Sequence, residues 1–375
     1  MKNLTLEVYR ELQKHFDSFP LRFPATKSGI EIRLLKRLFT PEEAKIASNV
    51  KCGYPGSFET YETLDEIFDR VKHLGYSKDK VEKLLDNMAK NGAIMGSTRD
   101  SEKVYANALL IVGIYEFQVD KLTKEFQDDF DQYLSEAWGP ANSGIRVRQL
   151  RTIPVGIKIK HENPIAKYDD IKVLFEQSNG PFSINNCVCR QTKDLQNSPC
   201  QVTDRREVCM GIGDMGQLYI DQGYGREITK EEALNYLKQN EEEGLIFQLS
   251  NSQEMIFVCS CCACCCDGLG ALKRIPNPAD YTSSNYLAVI NEDLCSGCGN
   301  CVDRCQMEAI TLENDFAVLN QKRCIGCGNC IIGCPEEAIS LISKENPTIP
   351  PLATIDLFTI IEEARRKVEQ KSDDN

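Results

Sequence analysis

The sequence has little histidine and tryptophan, and it has no long apolar run. Among 375 residues there are three His and one Trp, and His15, His73 and His161 are far apart in the chain. A catalytic centre of several histidines, or a haem relay, is therefore not expected. The best apolar run, Ala108 to Tyr115, is too short for a transmembrane helix. Met1 to Pro20 lacks the apolar segment of an export signal, so we expect a cytoplasmic protein with no membrane span.

Positive charge is also scarce relative to negative charge. The chain carries 44 Lys and Arg against 56 Asp and Glu, which gives a formal net charge of −12. This excess of carboxylates disfavours non-specific binding to nucleic acid. It suits docking on a basic patch of a partner protein.

Cysteine, in contrast, is abundant. The 19 Cys are clustered, and they occur without a secretory signal. Clustered cysteines in a reducing compartment indicate metal ligation and argue against disulfides. We therefore expect metal centres, in a cytoplasm that is reducing and poor in oxygen.

The last eight cysteines form a repeated motif. It reads Cys295-x2-Cys298-x2-Cys301-x3-Cys305 and then Cys324-x2-Cys327-x2-Cys330-x3-Cys334-Pro335, and the two halves are offset by 29 residues. Three thiolates on one tight turn can hold three corners of an iron–sulfur cube, and the fourth serves the other cube. The motif therefore resembles the two-cluster bacterial-type ferredoxins over residues 286 to 342. Gln306 departs from the proline that usually follows the fourth Cys in that family.

This spacing assigns four ligands to each of two [4Fe-4S] clusters. The expected ligand sets are Cys295, Cys298, Cys301 and Cys334 for one cluster, and Cys324, Cys327, Cys330 and Cys305 for the other. The alternative is a pair of four-thiolate zinc sites, whose C-x2-C halves look similar. Three ligands at two-residue spacing plus a fourth, the whole repeated, favour cubes.

Ten further cysteines lie between residues 187 and 266. Crowded thiolates repel one another, and a metal ion removes that cost. Cys187, Cys189, Cys200 and Cys209 make a plausible four-thiolate site, with Cys187 and Cys189 about 6.5–7 Å apart on an extended chain. In the next run, an extended chain places Cys259, Cys261 and Cys265 on one side and Cys262, Cys264 and Cys266 on the other. One or more additional iron–sulfur clusters are expected here; a zinc site or a Cu(I)/zinc thiolate cage is the alternative.

The N-terminal part is expected to be helical. Capping boxes begin helices at Thr40 and Thr63, and a third helix, capped by Ser77, ends at Asn91-Gly92. Two strands, at residues 93–95 and 104–106 on either side of a polar turn at residues 96–103, would complete a winged helix. A long helix is expected from Gly113 to about Ala137. Because lysines and carboxylates nearly cancel on the third helix, a role in packing or partner docking is favoured over DNA binding.

The predicted fold class is α+β with three domains. A winged-helix-like domain spans residues 1–145, a Cys-rich α/β domain 146–272, and a two-[4Fe-4S] ferredoxin-like domain 273–345, followed by a linker and C-terminal helix at 346–375. Residues 267–284 are interpreted as a linker. Gly211-x-Gly213-x-x-Gly216 matches a dinucleotide fingerprint, but no apolar strand is expected before it, so a nucleotide site is disfavoured.

The order of these segments resembles a family of 4Fe-4S ferredoxin-type proteins of anaerobic bacteria and archaea, over most of residues 40 to 342. That resemblance implies iron–sulfur binding and does not specify a partner. The expected function is relay of single electrons between a redox partner, such as an oxidoreductase or a ferredoxin or flavin donor, and a middle-domain centre. The alternatives are a redox-sensing DNA-binding regulator and a reductase whose substrate binds at the middle-domain cluster.

Overall fold

A computed structural model describes residues 2–155 and 169–373 of the chain. Helices and strands are both plentiful in these residues, which agrees with the α+β class. None of the described helices is both long enough and apolar enough to cross a membrane.

The first 143 residues are mainly helical, with one small sheet. The elements are α1 Lys2–Asp17, α2 Ile30–Leu38, α3 Pro41–Ala47, β1 Glu62–Thr63, α4 Leu64–Val71, α5 Lys78–Lys90, β2 Ile94–Arg99, β3 Glu102–Asn107, α6 Lys124–Tyr133 and α7 Gly139–Ser143. The strands form an antiparallel sheet in the order β1-β3-β2. The capping boxes at Thr40 and Thr63 are present, so the predicted starts of α3 and α4 are confirmed. The comparison with a winged helix stays a prediction.

The prediction of a long helix that begins at Gly113 is wrong at its N-terminal end. Gly113 is extended and donates its N–H to the Glu116 carboxylate, and Asp120 has a positive φ of 61°. The helix α6 begins only after Thr123, whose side chain caps the N–H of Phe126.

A six-stranded sheet forms the middle of the molecule. Its elements are β4 Leu150–Ile153, α8 Ile171–Gln177, β5 Phe182–Asn186, α9 Val188–Leu195, β6 Glu207–Ile212, α10 Asp214–Asp221, β7 Arg226–Ile228, α11 Lys230–Glu242, β8 Ile246–Ser250, β9 Phe257–Cys261 and α12 Asp267–Arg274. The strand order is β4-β8-β9-β6-β5-β7, and every pair is antiparallel. The expected α/β middle domain is therefore better described as α+β. The sequence favours strand structure over residues 146–160, of which the part after Val155 lies outside the described residues.

Two local predictions in this region are wrong. Residues 267–284 were predicted to be a linker, but they begin with the helix α12. The chain turns after β9, where the N–H of Cys266 donates to the Cys262 carbonyl, and Cys266 is then the N-cap of α12. A strand, β6, does precede the glycine motif, and α10 follows it. The motif nonetheless packs the helix on the sheet: a Cβ on Gly216 would lie 2.3 Å from the Pro181 carbonyl oxygen. At the start of α10, the Asp214 carboxylate accepts a hydrogen bond from the N–H of Phe58 at 2.9 Å, which ties this end of the helix to the N-terminal part.

The C-terminal part contains two small antiparallel ribbons. Its elements are β10 Tyr286–Ile290, α13 Asn300–Arg304, β11 Ile310–Glu313, β12 Phe316–Leu319, α14 Asn329–Ile332, β13 Ile339–Ser343 and α15 Thr354–Asp373. β10 pairs with β13, and β11 pairs with β12. Of the last eight cysteines, Cys301 lies on α13 and Cys330 on α14, and the other six lie on the segments that connect these helices to the ribbons.

Buried apolar side chains join the three parts. The largest core contains the N-terminal helices together with Leu218 of α10, Phe257 of β9 and Phe358 of α15. A separate core lies under the six-stranded sheet. The C-terminal part is joined to the sheet by Val155, which donates its N–H to the Cys327 carbonyl oxygen at 2.9 Å. The cysteine-bearing segments are thus held by packing on several sides.

Candidate metal centres

The eight C-terminal cysteines lie around two cavities. Cys295, Cys298, Cys301 and Cys334, here called the first quartet, line a cavity with an empty volume of about 310 Å³, part of it open to solvent. Cys305, Cys324, Cys327 and Cys330, the second quartet, line another of about 390 Å³. Each cavity is therefore bordered by three cysteines of one half of the motif and the fourth cysteine of the other half.

The backbone around the two quartets suits thiolate ligands. Ala309 and Ala338 donate their N–H groups to the sulfurs of Cys305 and Cys334 at 3.2 and 3.3 Å. The turns between ligands require glycine, because Gly297 has a φ of 68° and a Cβ there would lie 2.2 Å from the Asp315 carbonyl oxygen. Hydrogen bonds from N–H groups stabilise sulfur in its charged form. The residues present therefore fit an iron–sulfur cluster in each cavity.

The two quartets differ in depth. Cys298 of the first quartet is exposed and Cys295 is half-buried, whereas Cys324 and Cys330 of the second are buried. Burial raises the pKa of Cys327 to about 12, which means that its thiolate needs a cation or a donor to persist. The first quartet, in which Cys301 is buried, therefore has one exposed cysteine, and the second quartet has none.

Six of the ten middle cysteines form a closed ring, here called the six-sulfur ring. Each of these thiols shifts the pKa of two others, in the cyclic order Cys187, Cys189, Cys266, Cys261, Cys259 and Cys209. Hydrogen bonds from neighbouring thiols lower the pKa of alternate members, which are Cys187, Cys259 and Cys266. Crowding of this kind calls for cations, because six adjacent sulfurs cannot all ionise without them.

Two helix starts and two strands bring the ring together. Cys187 and Cys266 are the N-cap residues of α9 and α12, and Cys189 lies in the first turn of α9. Cys209 is on β6, and Cys259 and Cys261 are on β9, which pairs with β6. The positive ends of two helix dipoles thus favour thiolates in the ring.

The other four middle cysteines form a tighter group, here called the compact quartet. Cys200, Cys262, Cys264 and Cys265 have all four sulfurs within 4.8 Å of one another. In the described part of the chain, this is the single group of three or more potential ligands with that property. Both C-terminal quartets and the six-sulfur ring are wider.

The structure divides the middle cysteines differently from the sequence prediction. Cys200 was expected to form a site with Cys187, Cys189 and Cys209. Instead, its sulfur lies 3.5 Å from the sulfur of Cys262 and 3.9 Å from that of Cys264. Cys187 and Cys189 do not lie on an extended chain, since α9 begins between them. Cys265 and Cys266 exchange sides because β9 ends at Cys261 and the chain then turns, with the N–H groups of both residues donating to the Cys262 carbonyl.

A buried arginine lies between the ring and the compact quartet. Arg190 is fully buried, and its guanidinium donates to the Ser260 carbonyl at 3.1 Å and to the Cys262 sulfur at 3.5 Å. Burial lowers the pKa of Arg190, but the thiols of Cys187, Cys262 and Cys209 raise it by more, so the group stays charged. Sequence reasoning missed Arg190 as a site residue; its position one residue after Cys189 was the available signal.

The ring and the second quartet share one apolar cluster. Ile246, Leu269, Met307 and Ile325 form a buried cluster with Cys261 of the ring, and Cys259 and Cys266 of the ring and Cys305 and Cys327 of the second quartet pack against it. The second quartet is therefore adjacent to the ring across side chains that exclude water.

Comparison with known proteins agrees with this arrangement. Residues 287–335 match a family model described as a 4Fe-4S dicluster domain. No match was found among curated proteins or among solved structures. The match and the grouped cysteines together support an iron–sulfur protein with a role in electron transfer.

Proposed function

We propose that this chain relays single electrons between a partner protein and a metal centre in the middle of the molecule. The observation that carries the proposal is the apolar cluster of Ile246, Leu269, Met307 and Ile325, which contacts the second quartet and the six-sulfur ring. Bound to the two C-terminal quartets, [4Fe-4S] clusters supply reversible one-electron chemistry. The residues of the chain bind them, keep water away and fix their order from the surface inwards.

The ligand sets of the proposal are the two C-terminal quartets. Cys295, Cys298, Cys301 and Cys334 bind the outer cluster, and Cys305, Cys324, Cys327 and Cys330 bind the inner one. Four sulfurs on one zinc ion stand about 3.8 Å apart, as tetrahedral geometry with a metal–sulfur distance near 2.3 Å requires. Neither quartet is among the groups whose sulfurs all lie within 4.8 Å of one another. This spacing supports cubes over zinc at both quartets.

The six-sulfur ring is the proposed third iron–sulfur centre. Its six thiolates exceed the four that a cube uses, and as a group they are too widely spaced for one ion. Arg190 and the N-termini of α9 and α12 offset the negative charge that such a centre would carry. The ring is thus suited to a centre of more than one iron atom.

The partner is proposed to dock over the first quartet. The exposed Leu312 lines the same cavity as the exposed Cys298, and the exposed Leu294 directly precedes Cys295, next to the exposed carboxylate of Asp293. An apolar patch bordered by acids suits a redox protein with a basic rim, which would bind faster at low ionic strength. Such a relay is proposed to work in a reducing cytoplasm, where these cysteines stay available for metal.

Charge pairing on the N-terminal helices disfavours the DNA-binding alternative. Lys78 and Lys80 of α5 pair with Asp65 and Glu42, and Lys103 of β3 lies 2.8 Å from Asp86. A helix that reads DNA needs cations free to bind phosphates. We therefore propose that this part serves packing or partner docking.

Serine variants of one cysteine per centre test the proposal. Cys298→Ser and Cys327→Ser should each lower the iron content of anaerobically purified protein by about four atoms per chain. Cys261→Ser should lower iron while leaving the electron paramagnetic resonance signals of the ferredoxin-like part unchanged. Cys52→Ser, which alters a cysteine outside all four groups, is the matched control.

The order of the relay needs a kinetic measurement. With a reduced partner as donor, Cys327→Ser should slow reduction of the ring centre at least tenfold, whereas Cys52→Ser should not change it. Iron content that is unchanged in Cys298→Ser and Cys327→Ser would refute the ligand sets. A ring centre reduced at the wild-type rate in Cys327→Ser would refute the relay.

A further inference from the structure

The sulfur atoms of the compact quartet lie closer together than those of the other three groups of cysteines. The sulfur of Cys200 lies 3.5 Å from that of Cys262 and 3.9 Å from that of Cys264, and the sulfurs of Cys264 and Cys265 are 3.7 Å apart. All four sulfurs are mutually within 4.8 Å.

These distances match the ligands of a single ion. With metal–sulfur bonds near 2.3 Å, the sulfurs of a tetrahedral site stand about 3.8 Å apart. Thiolates on a cube each bind a different iron atom and stand roughly 6 Å apart. The compact quartet therefore has room for one ion and is too small for a cube.

We propose that Cys200, Cys262, Cys264 and Cys265 bind one zinc ion in a closed structural site, separate from the iron–sulfur relay. Four thiolates complete the tetrahedron, so no position is left for substrate or water. None of the four residues belongs to the apolar cluster that joins the second quartet to the ring. An ion without redox chemistry suits a position outside that route.

The charge around the compact quartet is consistent with a divalent ion. Four thiolates exceed the charge of such an ion by two, and Arg190 lies 3.5 Å from the sulfur of Cys262 to offset part of the excess.

The position of the four ligands in the chain indicates what the ion does. Cys200 lies between Cys189 and Cys209, which belong to the six-sulfur ring, and Cys262 to Cys265 lie between Cys261 and Cys266, which also belong to it. An ion shared by these two segments joins the chain on both sides of the ring. Zinc thus cross-links residues 187–209 to residues 259–266 and positions these two segments of the ring against each other.

Metal analysis and X-ray absorption of the full-length protein test this assignment. Protein purified anaerobically from a medium containing both metals should hold one zinc per chain in addition to its iron. Absorption at the zinc edge should show four sulfur neighbours at about 2.3 Å and no nitrogen or oxygen. Wild-type protein without zinc, or with fewer than four sulfur neighbours around it, would overturn the proposal.

Variants of one half-buried ligand provide the second test. Cys264→Ser should remove the zinc and leave the iron of the ferredoxin-like part in place, and Cys52→Ser should retain both. Cys264→His should keep zinc with three sulfurs and one nitrogen, because zinc accepts imidazole in a structural site. A Cys264→Ser protein that loses several irons and no zinc would place a cluster at these cysteines and refute the zinc site, while the relay would stand.

Discussion

The side-chain carbonyl of Gln306 accepts a hydrogen bond of 2.7 Å from the backbone N–H of Ala263. Its amide group donates at 2.6 Å to the Gly244 carbonyl oxygen. Gln306 follows Cys305 of the second quartet, and Ala263 lies between two ligands of the compact quartet. Where the ferredoxins have proline, this chain therefore has a residue that joins the ferredoxin-like part to the cysteine-rich loop.

Replacing Gln306 should loosen that junction. Gln306→Leu removes both hydrogen bonds and should lower the free energy of unfolding by about 2 kcal/mol, seen as a lower thermal midpoint of the anaerobic protein. Gln306→Pro should show a similar loss, because proline can make neither bond. Gln321→Leu changes an exposed glutamine nearby and should leave the midpoint within a degree or so of the wild type. A Gln306→Leu midpoint equal to that of Gln321→Leu would contradict the prediction.

Arg190 should be required for both middle centres. Arg190→Met removes a buried cation that faces sulfurs of the ring and of the compact quartet, and should destabilise the protein by about 3 kcal/mol or more. Metal content should fall at both centres while the ferredoxin-like part keeps its iron. Arg190→Lys retains the positive charge but not the planar guanidinium group. Its stability and metal content should therefore lie between those of Arg190→Met and those of the wild type.

A surface arginine controls for the loss of charge in itself. Arg206 pairs with Asp194, and both side chains are partly exposed, so Arg206→Met should cost less than about 1 kcal/mol. If Arg190→Met retained the full metal content, the proposed charge balance would be wrong.

His15 should make stability depend on pH. Burial lowers the pKa of His15, against a hydrogen bond with the Val50 carbonyl that raises it. As pH falls below the ordinary histidine value of about 6.5, the unfolded chain takes up a proton that the folded chain resists, so stability decreases toward the lowered folded pKa. Above about pH 6.5 the imidazole is neutral in both states, and this contribution to stability is complete.

A glutamine variant isolates this contribution. His15→Gln can still donate to Val50, and its thermal midpoint should fall less than that of the wild type between about pH 7.5 and 5.5. His73→Gln, at an exposed position, controls for the exchange of histidine for glutamine. Parallel pH curves for His15→Gln and the wild type would rule out the effect.

Gly216 should be needed for packing and not for nucleotide binding. Alanine normally stabilises a helix relative to glycine, but a Cβ at position 216 would lie 2.3 Å from the Pro181 carbonyl oxygen. Gly216→Ala should therefore destabilise the protein by about 1–3 kcal/mol. Gly144→Ala, whose Cβ would meet Val368 at 3.5 Å, should be nearly neutral. Adenine dinucleotides should not raise the thermal midpoint of the wild type; a clear rise would revive the nucleotide interpretation.

Local sequence signals were sufficient for much of the fold. The threonines at 40, 63 and 229 each have a glutamate three residues later, and all three pairs form capping boxes at helix starts. The grouping of the last eight cysteines around two cavities follows from spacing within one short motif, where each ligand is a few residues from the next. Such patterns depend on neighbours in the chain and can be read without a structure.

The middle centres could not be read in this way. Cys209 and Cys259 meet because β6 pairs with β9, and the roles of Cys265 and Cys266 depend on where β9 ends and the turn begins. The spacing of the cysteines in the sequence indicates neither which strands pair nor where β9 ends. The strand β6 was not predicted because Glu207, Cys209 and Gly211 interrupt its apolar pattern. Its buried face is formed by the alternate residues Val208, Met210 and Ile212.

The chain order of the ten middle cysteines has a consequence for biosynthesis. The ring and the compact quartet each take members from residues 187–209 and from residues 259–266. Neither centre can be completed while the ribosome is still adding the intervening fifty or so residues. We therefore expect metal to complete both proposed centres only after β9 has emerged and joined the sheet, and Cys187 to Cys209 to need a reducing environment until then.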